Sequence, residues 1–264
     1  MAVVVHEVPQ NAFRTALAAH RPLLGIWSML NSSNALEGLA HAGFDWILID
    51  GEHSPVSLHD MISHLRALNG SPAIPIVRLV GGDPLLLKQV LDAGATTIML
   101  PYVQHGEEAR AAVQAMQYAP RGRRGVAAMH RASRYARITD YIGRAHETLY
   151  LIVQIETLKA IDEIEQIAAV EGVDALFFGP GDLAASMGHP GKADHPDVTA
   201  LIQSCLQRVR RTGKSAGVLA PNASIAERHL QAGFDFVSVA NDCALLFQGA
   251  DAVAARFRAL LPGA

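Results

Sequence analysis

Short runs rich in β-branched and aromatic residues recur along the whole chain and alternate with stretches of helical spacing. There are eight such runs, which read LLGIWSM, DWILID, IPIVRL, TTIMLPYV, LYLIVQIE, DALFFGP, SAGVLAP and DFVSVA. Nearly continuous apolar runs are typical of parallel strands that are covered by helices on their outer face. This alternation constrains the fold more than any other feature, because it favours α/β architectures.

Helical spacing occupies eight segments, at 34–42, 58–68, 84–93, 107–116, 159–168, 198–212, 226–231 and 243–260. Several helices end at AG or EG directly before a strand, as in HAGFDWILID and QAGFDFVSVA, where glycine suits the left-handed position after the last helical turn. Eight repeated units favour a closed (β/α)8 TIM barrel over an open sheet. A Rossmann or flavodoxin-like sheet is the weaker alternative, since no GxGxxG motif follows the first strand. We predict a single barrel domain over residues 1–264.

Composition and charge exclude several classes of protein. The formal net charge is −3 and the chain has no basic stripe, so we expect no nucleic-acid partner. The only cysteines, Cys205 and Cys243, offer neither a disulfide framework nor a CxxC metal pair. No apolar run approaches the ~20 residues that span a bilayer. We predict a cytoplasmic protein without a membrane partner.

Polar side chains follow only some of the predicted strands. They are Asp50, Glu52 and His53 after the second strand, Arg78 at the third, Gln154 and Glu156 at the fifth, and Asp182 after the sixth. Because catalytic groups of (β/α)8 barrels lie at the carboxyl ends of the strands, these residues mark the candidate active site.

Two carboxylates of this set suit a metal ion. Glu156 and Asp182 come from neighbouring strands, and carboxylate oxygens are the ligands that Mg²⁺ and Mn²⁺ prefer. The remaining coordination positions would accept water and the oxygens of a 2-oxo acid, toward which the metal acts as a Lewis acid. The alternative is that Asp182 only caps the helix that begins at DLAAS.

Four further residues are candidates for proton transfer and charge stabilisation. Arg78 lies in an apolar strand and would stabilise a developing enolate oxygen, or else form a structural ion pair. His53 is the best candidate general base among the 12 histidines, because imidazole titrates near neutral pH. Asp50 would orient His53 or a water molecule, and Asp92 would complete a dyad with His53.

A Schiff-base mechanism needs a lysine near the carboxyl end of a strand. The four lysines are Lys88, Lys159, Lys192 and Lys214, and none is well placed. A metal-stabilised enolate is therefore the better interpretation.

The segment 118–144 is too long for an ordinary connection and is dense in arginine. Long connections in compact domains are usually functional or disordered. We expect either a solvated loop or, through Arg123, Arg124 and Arg131, a site for the distal carboxylate of a substrate, since guanidinium pairs with carboxylate through two parallel hydrogen bonds.

Several blocks together, LIDGEHSP, PIVRL, IVQIET, EGVDALFFGPGDLA and GVLAP, resemble the HpcH/HpaI aldolase family from about residue 23 to residue 260. The resemblance implies a barrel of the phosphoenolpyruvate/pyruvate-domain type. It also implies a class II pyruvate aldolase that uses Mg²⁺, Mn²⁺ or Co²⁺ and cleaves 4-hydroxy-2-oxo acids, such as 4-hydroxy-2-oxoheptanedioate or 2-dehydro-3-deoxy sugar acids, to pyruvate and an aldehyde. The loop LVGGDP after Arg78 departs from the commoner family pattern and leaves the acceptor preference open.

The resemblance further assigns roles by position. Glu156 and Asp182 become metal ligands, His53 the base with Asp92 its partner, and Arg78 the residue that holds the 2-oxo group. The residues implied in substrate binding are Arg78, Gln154, Gly181, Asp182 and Leu219. Members of the family are typically hexamers that exchange the last helix, so we expect a homo-oligomer. A lyase acting on acyl-CoA thioesters, of the citrate lyase β type, is the alternative function, and a binding protein without enzymatic activity is less favoured.

Overall fold

The computed structural model describes residues 6–261 and contains a closed barrel of eight parallel strands. The strands are β1 Leu23–Ser28, β2 Trp46–Asp50, β3 Ile74–Arg78, β4 Thr97–Leu100, β5 Tyr150–Ile155, β6 Ala175–Phe178, β7 Ser215–Leu219 and β8 Phe236–Asn241. Each strand pairs with its neighbours in chain order, and β8 closes the barrel on β1. All eight predicted strands form, and the predicted (β/α)8 architecture is confirmed.

Helices cover the outside of the barrel and extend beyond it. They are α1 Ala12–Leu17, α2 Ser33–Leu39, α3 Leu58–Ala67, α4 Pro84–Asp92, α5 Gly106–Met116, α6 Tyr141–Arg144, α7 Leu158–Asp162, α8 Ile164–Ala168, α9 Pro180–Ser186, α10 Pro196–Arg211, α11 Ala223–Ala232 and α12 Asp242–Arg258. The helix predicted at 159–168 is divided into α7 and α8, and α1 and α6 were not predicted. Among residues 6–261, none of the helices is both long and apolar enough to cross a membrane.

The interior of the barrel is filled by side chains from alternate positions of the strands. Trp46, Leu48, Ile76, Ile152 and Phe177 all belong to one buried cluster inside the barrel. The residues between them belong to the cluster under the helices. This period of two follows from the strand geometry, in which successive side chains point to opposite faces.

Glycine makes room for the large rings inside the barrel. A Cβ atom at Gly25 would lie 1.9 Å from the Trp46 ring, and one at Gly217 would lie 2.3 Å from the Phe236 ring. From α1, Phe13 packs edge-on against Tyr150 and Phe236, with ring centroids 5.4 and 5.2 Å apart. The amino-terminal end of the barrel is therefore closed by aromatic packing, and the polar groups lie at the other end.

The segment 118–144 lies between α5 and β5. Because α5 runs back from the carboxyl end of β4, this connection lies at the amino-terminal end of the barrel. It contains the short helix α6 and a single 3₁₀ turn at Arg131–Ser133. Three consecutive residues, Arg134, Tyr135 and Ala136, have φ values between 50° and 64°. The segment is therefore an ordered connection that contains short helical elements.

Candidate active site

Alternate residues of each strand face the interior of the barrel, and this alternation also directs the polar side chains inward. Asp50 follows the inward-facing Leu48 by two positions, and Arg78 follows Ile76 in the same way. Asp50 and Arg78 are register partners on β2 and β3. Their side chains therefore meet at the carboxyl end of the barrel, where the aromatic filling stops.

Arg78 is held by carboxylates on one side and by an aromatic ring on the other. Its Nε and Nη2 donate to the two oxygens of Asp50 at 2.9 and 2.8 Å, which is a bidentate pair. Its Nη1 lies 2.6 Å from Glu52 Oε2. The guanidinium carbon lies 4.8 Å from the centre of the Trp27 ring, within the range of a cation–π contact. The structural ion pair considered for Arg78 is present, and it orients a guanidinium that is buried at the mouth of the barrel.

The environment of the two carboxylates differs. Burial raises the pKa of Asp50, but the hydrogen bonds and charge of Arg78 and the backbone N–H groups of Glu52 and His53 outweigh it, so the pKa is lowered. Burial raises the pKa of Glu52 against the opposing effects of Arg78 and His53, and the charges of Asp50 and Asp182 add to the rise. The ion pair with Arg78 therefore favours the ionised form of Asp50, whereas burial and neighbouring negative charges disfavour the ionised form of Glu52.

Glu156 is the most strongly perturbed of these carboxylates. Burial, together with the charges of Asp182 and Glu52, raises the pKa of Glu156 to about 7, although the Tyr102 N–H and Arg78 oppose the rise. The Tyr102 N–H donates to Glu156 Oε1 at 2.7 Å, and Gln154 Nε2 donates to Oε2 at 3.1 Å. Tyr102 reaches this position with a φ of 56°, a left-handed conformation that is uncommon outside glycine.

Asp182 lies in the first turn of α9, directly after β6. The N-cap of α9 is Gly179 and makes no side-chain cap, so Asp182 is not used as the cap that the alternative interpretation required. The Asp182 carboxylate is exposed and acts electrostatically on both Glu52 and Glu156. The negative charge of Asp182 therefore adds to that of Glu52 around the buried Glu156 carboxylate. Carboxylate oxygens are the ligands that a divalent cation prefers, so the chemistry of Glu156 and Asp182 fits a hard metal ion.

His53 lies at the rim of this site. Its backbone N–H is 3.4 Å from Asp50 Oδ1, and its Nε2 is 3.7 Å from Glu52 Oε2. The side chain is 60% exposed, which leaves it accessible to a substrate above the carboxylates. Its role as the base stays a prediction.

Asp92 does not meet His53 within one chain, and the dyad of these two residues stays a prediction. Asp92 ends α4, which runs away from the carboxyl end of β3, so it lies toward the opposite end of the barrel from His53. Its carboxylate pairs with the buried Arg124 and lies 3.7 Å from His130 Nε2. The spacing in the sequence could not reveal the direction of α4 relative to the site.

The arginines of the segment 118–144 also lie away from the chain's own site. Arg124 is stacked on Tyr118, with the guanidinium carbon 4.5 Å from the ring centre. Arg131 donates to the carbonyl oxygens of Ala93 and Leu65 at 2.9 and 3.3 Å, at the ends of α4 and α3. The proposed contact of these arginines with the distal carboxylate of a substrate is therefore not made within one chain.

The structure adds residues that the sequence did not single out. Trp27 looked like an ordinary apolar strand residue, but its ring stacks on Arg78. Tyr102 contributes its backbone N–H. Gly179 makes room for the Glu156 carboxylate, since a Cβ there would lie 2.4 Å from Glu156 Oε2. Only Gly179 carried a signal, because it belongs to the glycine-rich FFGPGD block. Of the predicted substrate-binding residues, Leu219 ends β7 half-buried and Gly181 lies exposed in α9, so both are at the mouth of the barrel.

The chain is similar to known proteins over nearly its whole length. Residues 23–249 match the model of the family described as HpcH/HpaI aldolase/citrate lyase. A 4-hydroxy-2-oxo-heptane-1,7-dioate aldolase of Klebsiella pneumoniae subsp. pneumoniae is 48% identical over 94% of this chain and 94% of its own length. An aldolase of the same name from Escherichia coli is 46% identical over 95% of this chain and 96% of its own. The crystal structure of an HpcH/HpaI aldolase/citrate lyase family protein from Burkholderia cenocepacia superposes with a TM-score of 0.89 at 38% identity, covering 94% of this chain and all of that chain.

Proposed function

Because the chain belongs to the HpcH/HpaI aldolase/citrate lyase family and is an aldolase, a carbon–carbon lyase, we propose that its substrates are 4-hydroxy-2-oxo acids, which it cleaves reversibly to pyruvate and an aldehyde. The proposed substrate class includes 4-hydroxy-2-oxo-heptane-1,7-dioate, which names the relatives at 48% and 46% identity. The same relatives favour this activity over cleavage of acyl-CoA thioesters. The observation that carries the proposal is Arg78, which Asp50 and Trp27 orient and whose Nη1 donates to Gln154 Oε1 at 3.5 Å. Gln154 Nε2 in turn donates to Glu156 Oε2 at 3.1 Å.

The family's cofactor is a divalent metal ion, and the donor set fits one. Glu156 and Asp182 are the residues that would hold it, and we propose Mg²⁺, Mn²⁺ or Co²⁺ because carboxylate oxygens suit hard cations. When bound, the cation supplies Lewis acidity toward the 2-oxo acid. Glu52, which lies 2.6 Å from Arg78 Nη1 and 3.7 Å from His53 Nε2, would orient a water molecule.

The remaining chemistry is proposed for the chain's own residues. In the cleavage direction, His53 accepts the proton of the 4-hydroxyl group, the bond between C3 and C4 breaks, and its electron pair forms the enolate of pyruvate. Arg78 donates hydrogen bonds to the enolate oxygen, whose charge grows as the bond breaks. The protonated His53 then gives its proton to C3, which yields the methyl group of pyruvate and restores the neutral imidazole.

Exchange of the methyl protons of pyruvate with D₂O, followed by proton NMR, tests enolisation without the aldehyde. We expect exchange in the wild type with added Mn²⁺ or Mg²⁺, and a loss of at least about 100-fold in Glu156→Gln and in His53→Ala. The matched control is His59→Ala, which removes an exposed imidazole from α3 and should keep the wild-type rate. Absence of exchange in the metal-loaded wild type would contradict pyruvate as the product and nucleophile.

We also propose that the protein is a homohexamer in which a subunit interface buries α12. This helix buries only Asp242, and its large apolar side chains are exposed, namely Leu245, Leu246, Phe247, Val253 and Phe257. An exposed apolar face of this extent is typical of an interface between subunits. Light scattering should give a mass of about six chains for the wild type, and a monomeric mass at micromolar concentration would contradict the proposal.

A further inference from the structure

The connection between α9 and α10 carries two histidines that the proposed aldol cleavage does not use. It reads GHPGKADHPD, and each histidine in it precedes a proline. Proline restricts the residue before it to extended backbone, which limits the movement of both positions. Asp182 lies in the first turn of α9, whereas this connection follows the last turn. The two histidines are therefore separated from the candidate active site by the length of α9.

Helix ends fix the backbone of both histidines. With Gly188 at a φ of 82°, the His189 N–H donates to the carbonyl oxygen of Ala184 at 2.7 Å, as in the Schellman motif that ends many helices. His195 is the N-cap of α10, and its Nδ1 accepts the Asp197 N–H at 3.2 Å. The end of one helix and the start of the next thus hold the two imidazoles at defined positions.

The side chains of His189, His195 and Asp197 converge. The two imidazole rings are stacked, with centroids 3.7 Å apart and planes 12° from parallel. His189 Nε2 and His195 Nδ1 each lie 3.7 Å from Asp197 Oδ2. Within residues 6–261, this is the only group of three or more histidine, cysteine, aspartate or glutamate residues whose ligand atoms all lie within 4.8 Å of one another.

The distances within this group suit a shared metal ion better than direct hydrogen bonds. A separation of 3.7 Å is too long for a hydrogen bond. Bonds of about 2.1 Å at the tetrahedral angle would place two ligand atoms roughly 3.4 Å apart. A small inward movement of the three side chains would therefore complete the coordination.

The stacked rings must adjust for this coordination, because two parallel imidazoles cannot both direct a lone pair at one ion. A turn of one ring about its χ2 torsion is sufficient, and that torsion is broad in histidine. The side chains of His189 and His195 are 29% and 28% exposed, so they border solvent that leaves room for the turn. Coordination by His195 Nδ1 replaces the hydrogen bond that it accepts from the Asp197 N–H.

We propose that His189, His195 and Asp197 bind a transition-metal ion of the zinc type, which joins the end of α9 to the start of α10. Two imidazoles and one carboxylate are a donor set that suits Zn²⁺, whereas Mg²⁺ prefers oxygen ligands. Three protein ligands leave the fourth tetrahedral position to water. The site differs in both place and chemistry from the carboxylates at the barrel mouth.

Isothermal titration calorimetry with Zn²⁺ tests the site. The parent protein is tag-free and metal-free and carries Glu156→Gln, which removes a carboxylate from the barrel mouth. The site variants, made in this parent, are His189→Gln and His195→Asn, because asparagine keeps a side chain that can cap α10. The matched control is His41→Gln, which removes an exposed imidazole elsewhere. Circular dichroism checks that all variants keep the fold.

We expect the parent to bind Zn²⁺ saturably, and each site variant to bind one Zn²⁺ fewer per chain or to bind it at least about tenfold more weakly. The control should bind Zn²⁺ within about twofold of the parent, and excess Mg²⁺ should not displace the ion that depends on the histidines. Zn²⁺ should raise the Tm of the parent more than that of His189→Gln.

No saturable binding of Zn²⁺ by the parent would overturn the proposal, and so would undiminished affinity and stoichiometry in either site variant. The measurement counts the Zn²⁺ that is lost with the histidines. Its outcome is therefore independent of whether the barrel mouth binds a metal or cleaves 4-hydroxy-2-oxo acids.

Discussion

Replacement of Gly179 by alanine is the most direct test of the position of the Glu156 carboxylate. The backbone of Gly179 has φ −99° and ψ 98°, which alanine adopts without strain. The effect of the substitution is therefore steric. The new Cβ would lie 2.4 Å from Glu156 Oε2 and 3.1 Å from Glu156 Cβ, whereas ordinary van der Waals contact begins at 3.4 Å.

The carboxylate oxygen must therefore retreat by about 1 Å, and a misplacement of about 1 Å in an active site costs on the order of 100-fold in rate. This corresponds to about 2.7 kcal/mol of transition-state stabilisation. The retreat is opposed because Oε1 is anchored by the Tyr102 N–H at 2.7 Å and Oε2 by Gln154 at 3.1 Å. We expect Gly179→Ala to lower kcat/KM for aldol cleavage about 100-fold and to weaken the binding of Mn²⁺.

The assay couples the release of pyruvate to lactate dehydrogenase and follows the consumption of NADH, and the binding of Mn²⁺ is measured by titration calorimetry. The matched control is Gly181→Ala, two residues along the same helix, where a Cβ would have no heavy atom within 4 Å. This control should retain the metal affinity and the unfolding free energy of the wild type. Wild-type kcat/KM and Mn²⁺ affinity in Gly179→Ala would refute the assignment of Glu156 as a ligand, and equal losses of Mn²⁺ affinity in both variants would refute the steric reasoning.

Three further predictions concern stability and charge. Burial, followed by the charge of Arg228, lowers the pKa of His229 to about 4 in the folded protein, so this residue contributes stability above its unfolded pKa near 6.5 that is lost as pH falls toward 4. By pH 4 the loss of unfolding free energy approaches about 3 kcal/mol. Urea unfolding at pH 7 and pH 4.5 measures this loss, and it should be smaller in His229→Leu than in the wild type. An equal difference in unfolding free energy between the two pH values in both proteins would contradict the prediction. Asp242 accepts hydrogen bonds from Ser28 Oγ and from the Met29 and Leu30 N–H groups. Asp242→Asn should therefore lower the unfolding free energy by about 2 kcal/mol. The control Asp251→Asn, at an exposed position of the same helix, should lower it by almost nothing. Arg78→Lys cannot make the bidentate pair with Asp50, so kcat/KM should fall about 100-fold, and a wild-type value in steady-state kinetics would exclude a role for the fork geometry.

The predictable part of the fold came from local patterns. Each strand carries its signal within a few residues, and glycine after a helix marks where the next strand begins. The missed elements are those whose signal is weak or tertiary. Helix α1 has only 6 residues, and its position depends on Phe13 packing against rings from β5 and β8. The division of the segment 159–168 into α7 and α8 falls at Glu163, where no proline or glycine indicates a break.

The candidate site was also only partly predictable. Asp50, Arg78 and Glu156 could be identified from the sequence because each is a polar residue at the end of a buried strand. The partners of Asp92 were not, because the direction of α4 matters more than its sequence distance from His53. The arginines of the segment 118–144 likewise lie away from the chain's own site, since a connection that leads from a helix into a strand lies at the amino-terminal end of the barrel.

The sequence by itself determined the period of the strands, and through that period it determined that Asp50, Arg78, Gln154 and Glu156 face the interior, because alternate residues of a strand point to one side. The tertiary structure alone decided which distant groups meet. The Tyr102 N–H reaches Glu156 across 54 residues of sequence, and Ser28 reaches Asp242 across 214. Such contacts depend on the closure of the barrel, which sets the distances between strands that no local pattern encodes.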